Sequence, residues 1–439
     1  MKKTLLAQAL CVAFLSTAIA APVQAGEAEL LQKIEKLAAE LEAIKAELAA
    51  NRQQTVAQKQ EVLATSVAAA ASVSSSPSAS VSTQGSAAAP ATVISSYGEI
   101  AYTRPRDAAN QAQTDVGRAV LGISHRFNEK TKMVAEFEWE HAVTSADDQG
   151  EAAVEQIYVE HEFKNGLSAK AGLFLIPAGF INPSHEPTAY YGVQRNFVET
   201  AIIPTTWREA GFSVSGAHDN GLSWDAGITT GFDLTKWDAA GSDAKESPLG
   251  SIHQEGQFAK SHDLSLHAAL NWRGVPGLLL GASVFSGKAG HATTDFVAND
   301  ARVTLWDAHA RYTPGNWDLS ALYARGSISN TEALNLTLAG NPSPVPSSFY
   351  GWYLQGAYKV WSNTDYSLTP FIRYEQFNTA ASYSAMPQGL AVAASEAEKV
   401  TTVGASFRIG EGVVLKADFQ KFQRDSAMDR FNLGVGYSF

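Results

Sequence analysis

The chain has almost no cysteine, no basic excess and no long apolar run, and each absence narrows what it can do. Its single cysteine is Cys11. That residue falls within a segment built like a secretory signal. Lys2 and Lys3 come first, then a mostly apolar stretch from Leu5 to Ile19. Two small-residue cleavage sites follow, Ala18-Ile19-Ala20 and Val23-Gln24-Ala25. Cleavage after Ala25 is favoured because Gly26 opens a clean helical pattern, giving a signal peptide over 1–25. Past that point no thiol exists for a disulfide, a nucleophile or a thiolate metal site. Val12, following Leu10-Cys11, argues against a lipid anchor on that cysteine. The formal net charge is −11, and −13 once Lys2 and Lys3 are removed. Nucleic acid, which favours basic faces, is therefore not an expected partner. Nothing after the signal approaches 18 consecutive apolar residues, so no transmembrane helix is expected. A membrane β-barrel is still allowed, because it hides its apolar face in alternation.

What is present falls into three zones. In the first, residues 26–54, Leu30, Ile34, Leu37, Leu41, Ile44 and Leu48 recur at steps of 4, 3, 4, 3 and 4. This is a heptad seam, with Leu30, Leu37 and Ile44 at d and Ile34, Leu41 and Leu48 at a. One amphipathic helix of this length is marginal alone, so self-association, as a trimer, is the expected way to bury the seam. A helix lying on a neighbouring surface is the alternative. The second zone, residues 55–91, is rich in Ala, Ser, Val and Thr and nearly uncharged after Glu61. It cannot bury enough apolar area to order itself and reads as a flexible tether.

The third zone, residues 92–439, alternates short patterned runs with turns of two kinds. Short connectors occur at Asn128–Thr131, Lys164–Gly166, Asp219–Gly221, Arg273–Gly277, Thr313–Asn316, Ser362–Asp365 and Gly410–Gly412. Between them lie long ones, such as Arg104–Asp115, Thr144–Gly150, Phe232–Phe258, Ser327–Pro346 and Thr379–Ser395. This sorting is what an up-and-down barrel produces, with tight turns on one rim and large loops on the other. About 16 antiparallel strands are expected, with both ends of the barrel on the short-turn side.

The faces say which way the barrel points. Ala119, Leu121, Ile123 and Phe127 oppose Arg118, Ser124 and Arg126. Met133, Ala135, Phe137 and Trp139 oppose Lys132, Glu136, Glu138 and Glu140. The last run sets Phe431, Leu433, Val435, Tyr437 and Phe439 against Arg430, Asn432, Gly434, Gly436 and Ser438. Apolar sets begin or end in rings, including Trp224, Trp272, Trp306, Tyr312, Trp317, Tyr323, Trp352 and Tyr358, as a membrane-interface girdle requires. The opposite face carries too many charges for a dry core. The expectation is apolar outside and charged inside, around water.

These features resemble a Gram-negative outer-membrane porin, including the C-terminal Phe439 that closes an alternating strand. The block Ala171–Gly211, "AGLFLIPAGFINPSHEPTAYYGVQRNFVETAIIPTTWREAG", resembles the phosphate-selective porin O/P superfamily. Heptads ahead of a barrel more specifically resemble its DcaP-like members, which are trimers with a periplasmic coiled coil. The resemblance implies a homotrimeric 16-stranded channel in the outer membrane, among lipid and lipopolysaccharide. Its third loop, about residues 175–206, would fold inward and narrow the pore, and small anions such as phosphate or dicarboxylates would pass. Phosphate specificity is not carried over, because residues 175–206 hold Arg195 and no lysine, together with Glu186 and Glu199.

Catalytic, metal and cofactor sites are not expected. His185-Glu186 lacks the second histidine of a zincin helix, since Ala189 stands there and Pro187 would break the helix. No G-x-S-x-G elbow occurs. His161 on a strand points away from Glu160 and Glu162. The pore wall is the better candidate: Arg118, Arg126, Lys132, Lys170, Arg373, Arg408 and Lys416, with Glu136, Glu138, Glu140, Glu160, Glu162, Asp225, Asp263 and Asp418. The constriction is expected at the third loop and its flanks, from His185, Glu186, Arg195, Glu199, Arg208 and Glu209. Phe180, Ile181, Tyr190 and Tyr191 would pack that loop on the inner wall. The expected function is passive diffusion of small hydrophilic solutes, of anions first. A cation-preferring general porin and a structural or adhesive protein tethered by its coiled coil are the alternatives.

Overall fold

The computed structural model describes residues 91–439, apart from 146–149, 242 and 388. The signal, the heptad seam and the tether up to residue 90 lie outside the described residues. Sixteen long strands follow one another in the described chain. The first eight are β1 Ala91–Pro105, β2 Gln113–Arg126, β3 Thr131–Glu140, β4 Ala152–Glu162, β5 Leu167–Leu175, β6 Arg208–Ala217, β7 Leu222–Thr229 and β8 Ser265–Trp272. The second eight are β9 Leu278–Lys288, β10 Arg302–Tyr312, β11 Trp317–Ser329, β12 Ser348–Tyr358, β13 Tyr366–Ser382, β14 Glu398–Ile409, β15 Val413–Phe422 and β16 Arg430–Ser438. A two-residue rung at Trp361–Ser362 extends the turn before β13.

Each strand pairs antiparallel with the next, and β16 pairs with β1 through the register Tyr97↔Ser438 to Pro105↔Arg430. Ser96 and Phe439 exchange both backbone hydrogen bonds, at 3.1 and 2.9 Å. Closure leaves no free sheet edge, which is the condition for strands to cross a hydrocarbon layer. The turns after β2, β4, β6, β8, β10, β12 and β14 are short and lie on one rim with both barrel ends. The connections after the odd-numbered strands form the other rim, and two of them, residues 176–207 and 230–264, are very long.

Alternation explains the outer face. Leu266 and Leu270 are exposed while Ser265, His267 and Ala269, which alternate with them, are buried. The outer band includes Trp306, Tyr312, Trp317, Trp352, Tyr358, Tyr366 and Tyr374. Inside, one expectation needs correction. Charged residues do line much of the wall, but the inner face of β9–β12 toward the long-loop rim is apolar. Phe285, Val303, Leu305, Leu322, Ala324, Ile328, Phe349 and Tyr353 are buried there against Ile176, Val198, Ile202 and Ile203 of the 176–207 loop. Phe232, Leu234, Leu249 and Ile252 of the 230–264 loop complete the cluster. Part of the barrel therefore holds a dry core, and that core fixes where the 176–207 loop sits. Asp263 is also displaced from its expected place: it lies in the loop ahead of β8, bonded to His291.

Candidate functional site: a loop folded into the barrel

The 176–207 loop leaves β5 and returns as β6, and its neck stays closed. Ile176 N–H donates to Trp207 O at 3.0 Å. Asn182 then bridges both sides: its amide donates to Ile176 O (2.7 Å) and Trp207 O (2.9 Å), and its oxygen accepts from Trp207 N–H (2.6 Å). The Trp207 ring stacks on Phe232 and meets Phe285 edge-on.

Beyond the neck, the loop has no ladder to satisfy its backbone, and unpaired buried N–H and C=O groups are costly. The wall supplies the partners. Asp307 accepts from Gly179 N–H (3.1 Å), Asp418 from Val193 N–H (2.6 Å) and Glu375 from Phe197 N–H (2.7 Å). Arg118 donates to His185 O, Arg408 to Thr188 O and Arg373 to Tyr191 O. Tyr190 donates to Glu99 (2.7 Å) and Tyr191 to Asp318 (3.2 Å). Charges that would be expensive to bury alone are offset by these charge-assisted bonds.

Glu199 holds the loop's interior together. Its carboxylate, 2% exposed, accepts from Phe180 N–H, Ile181 N–H, the Asn196 amide and the Tyr353 hydroxyl at 2.6 to 2.9 Å. Burial pushes its carboxyl up, against the pull of those four donors. Glycines make room on the wall. A Cβ on Gly436 would lie 2.5 Å from Pro187, and one on Gly434 would lie 2.9 Å from Val193.

The expected constriction residues have distinct surroundings. His185 is buried against Tyr97 and Glu155. Glu186 is half-buried beside an opening lined by Glu136, Thr188, Glu411 and Ser438. Arg195 donates to Thr205 and Thr206 within the loop. Arg208 pairs with Glu255 at 3.1 Å, and Glu209 is fully buried between Trp207 and Thr230. Glu199 and Glu209 thus face protein rather than open space. Among wall residues, Arg118 pairs with Glu99, Lys132 with Glu160, Lys170 with Asp225 and Arg373 with Glu375. Arg126 is exposed at the end of β2. Arg408 and Lys416 have no carboxylate within ion-pair distance among the described residues. The Lys416 ammonium is buried, lacks a hydrogen-bond partner and sits 3.7 Å from the Tyr190 ring centre.

Asn182, Glu155, Asp307, Glu375 and Glu99 were not anticipated. The inward glycines of β16 were the available signal for where the loop rests. Glu155 carried no such signal: a bulge on β4 pairs Glu136 with Gln156 and Phe137 with Val154, leaving Glu155 unpaired. It points inward where strict alternation from Ile157 would turn it out. Among the described residues no cluster of three or more His, Cys, Asp or Glu is arranged to hold a metal ion.

No protein-family model matches the chain. An uncharacterized protein of Aquifex aeolicus (strain VF5) is 29% identical over 335 residues, 74% of each chain. OmpF of Salmonella typhi, solved with daunomycin, superposes with a TM-score of 0.55 at 13% identity, covering 79% of this chain and 97% of that one. A loop-deletion mutant of the Vibrio cholerae outer-membrane protein OmpT gives 0.51 at 13%, over 80% and 100%. The outer-membrane channel DcaP of Acinetobacter baumannii gives 0.49 at 14%, over 80% and 97%. The fold is the closed 16-stranded antiparallel barrel of outer-membrane porins.

Proposed function

We propose that the protein is a channel of the Gram-negative outer membrane, narrowed by the 176–207 loop and passing small hydrophilic solutes by diffusion. Affinity to the phosphate-selective O/P superfamily and its DcaP-like trimers is part of this reading, with the heptad seam as a periplasmic coiled coil. Selectivity for small anions, phosphate or dicarboxylates among them, rests on one observation. Around residues 188–195 of the loop, the cations Arg195, Arg408 and Arg430 have no carboxylate ion-pair partner among the described residues. Unpaired charge beside a narrow passage sets the local ion concentration. Reversal potentials of single channels in a salt gradient test this. The wild type should prefer anions, and the R408Q/R430Q double variant should lose that preference several-fold. Phosphate and dicarboxylates should reduce conductance when added. An unchanged preference in the double variant would remove these side chains from the selectivity path.

The cation-preferring alternative has support of its own. Glu138, Glu140, Glu151 and Glu255 surround one cleft with Arg208 and His253. A cation-signed reversal potential would favour that reading.

A homotrimer is the proposed assembly. The outward residues of the adjacent strands β4 and β5, such as Val154, Ile157, Val159, Leu167, Ala169 and Ala171, include no Phe, Tyr or Trp, whereas β10–β13 carry many. A face without interfacial rings suits contact with another subunit better than contact with lipid headgroups.

A further inference from the structure

The tie between the loop and β4 needs one more proton than its neutral groups supply. His185 Nδ1 lies 3.0 Å from Asn182 O, a carbonyl that only accepts, so Nδ1 carries a hydrogen. Nε2 then faces Glu155 Oε1 directly and the Tyr97 hydroxyl at 2.6 Å, while Tyr97 donates to Glu155 Oε2 at 2.8 Å. With a neutral ring and an ionised Glu155, the Tyr97 hydroxyl has one hydrogen for two acceptors, so donating it to Oε2 leaves its oxygen facing the bare Nε2. Donating it to Nε2 instead leaves the Tyr97 oxygen facing the Glu155 carboxylate. A proton must therefore sit between His185 and Glu155, written either as imidazolium and carboxylate or as imidazole and carboxylic acid. Glu155 is fully buried, His185 is 4% exposed and Tyr97 6%.

We propose that Glu155 and His185 share a single proton that fastens the constriction loop to the wall, making the steadiness of the passage depend on pH. The groups facing the pair come from every element packed on it. These are Tyr97 from β1, Arg118 from β2, Glu136 and Glu138 from β3, and Glu186 from the loop itself. Losing the proton takes the pair from neutral to −1 beside Glu136, Glu138 and Glu186, with Arg118 as the nearby cation. The latch therefore holds at low pH and is released as pH rises. Release reaches the neck directly, because His185 binds Asn182 O and the Asn182 amide spans Ile176 and Trp207. Both residues act here as positioning residues.

The inference rests on the channel reading, so the test has two readouts. In planar bilayers, raising pH from about 5 to about 9, across the range where histidines titrate, should increase flicker or a second conductance level roughly tenfold. That is the scale of one charge-assisted hydrogen bond. In E155Q the amide N–H can donate to a bare Nε2, so the channel should stay steady over the whole range. H185F should be unsteady at every pH. Independently of conductance, nitrogen-15 histidine spectra of the detergent-solubilised protein, with His185 assigned through H185F, should show a proton shared at Nε2 at low pH and lost at high pH. Absence of any conductance would overturn the channel reading and leave the spectra to judge the latch. A neutral, unshared His185 at pH about 5 would overturn the latch. So would pH-independent gating in the wild type, or E155Q gating that follows pH as the wild type does.

Discussion

At the scale of single residues, the loop is held by charged groups that bond its backbone and hydroxyls, several of them ion-paired on the wall as well. Glu199 is the clearest. Its four donors converge on one carboxylate, and an amide in its place would turn N–H toward donors. Glu199→Gln is expected to cost about 2–4 kcal/mol, from more than one lost charged hydrogen bond. Thermal unfolding followed by circular dichroism measures that cost. Single-channel current noise should rise in the same variant while the barrel still forms. An unchanged melting profile would mean that Glu199 is a spectator.

At the scale of elements, the loop and β16 fit each other through small residues. Gly436→Leu places a side chain where Pro187 lies, 2.5 Å from the Cβ position, so the loop must shift away from that wall. Conductance should change in this variant while strand content holds, as read by bilayer recording and circular dichroism. Much of this level was legible in the sequence. Turn spacing separated the two rims, and the alternation in Leu266–Trp272 and Phe431–Phe439 sorted the two faces. The rest was hidden for physical reasons. On β10, Val303 and Leu305 flank Thr304 and precede Trp306, so both faces carry apolar residues and the period says nothing about an inner core. On β4, one extra residue at the bulge reverses the side on which Glu155 stands, and no local composition marks it. The hydrogen-bond partners of Asp307 and Glu375 lie on the loop, more than a hundred residues away in sequence. Only closure of the barrel brings them together.

At the scale of the whole molecule, the outer surface and the interior make separate demands. The proposed trimer places the band of β4 and β5, whose outward residues include no Phe, Tyr or Trp, between subunits. Ala171→Arg on that band should dissociate the assembly in mild detergent, shifting native mass from trimer to monomer. An equivalent charge at Ala308, on the ring-bearing side, should leave the trimer intact. The central claim is that a closed barrel carries water and that the 176–207 loop limits its flow. Single-channel conductance of the wild type against a variant with residues 178–205 replaced by a short glycine-serine link tests it most directly. Discrete steps in the wild type and a several-fold larger step in the variant are the predicted result; no steps in either protein, or equal steps in both, would contradict the account.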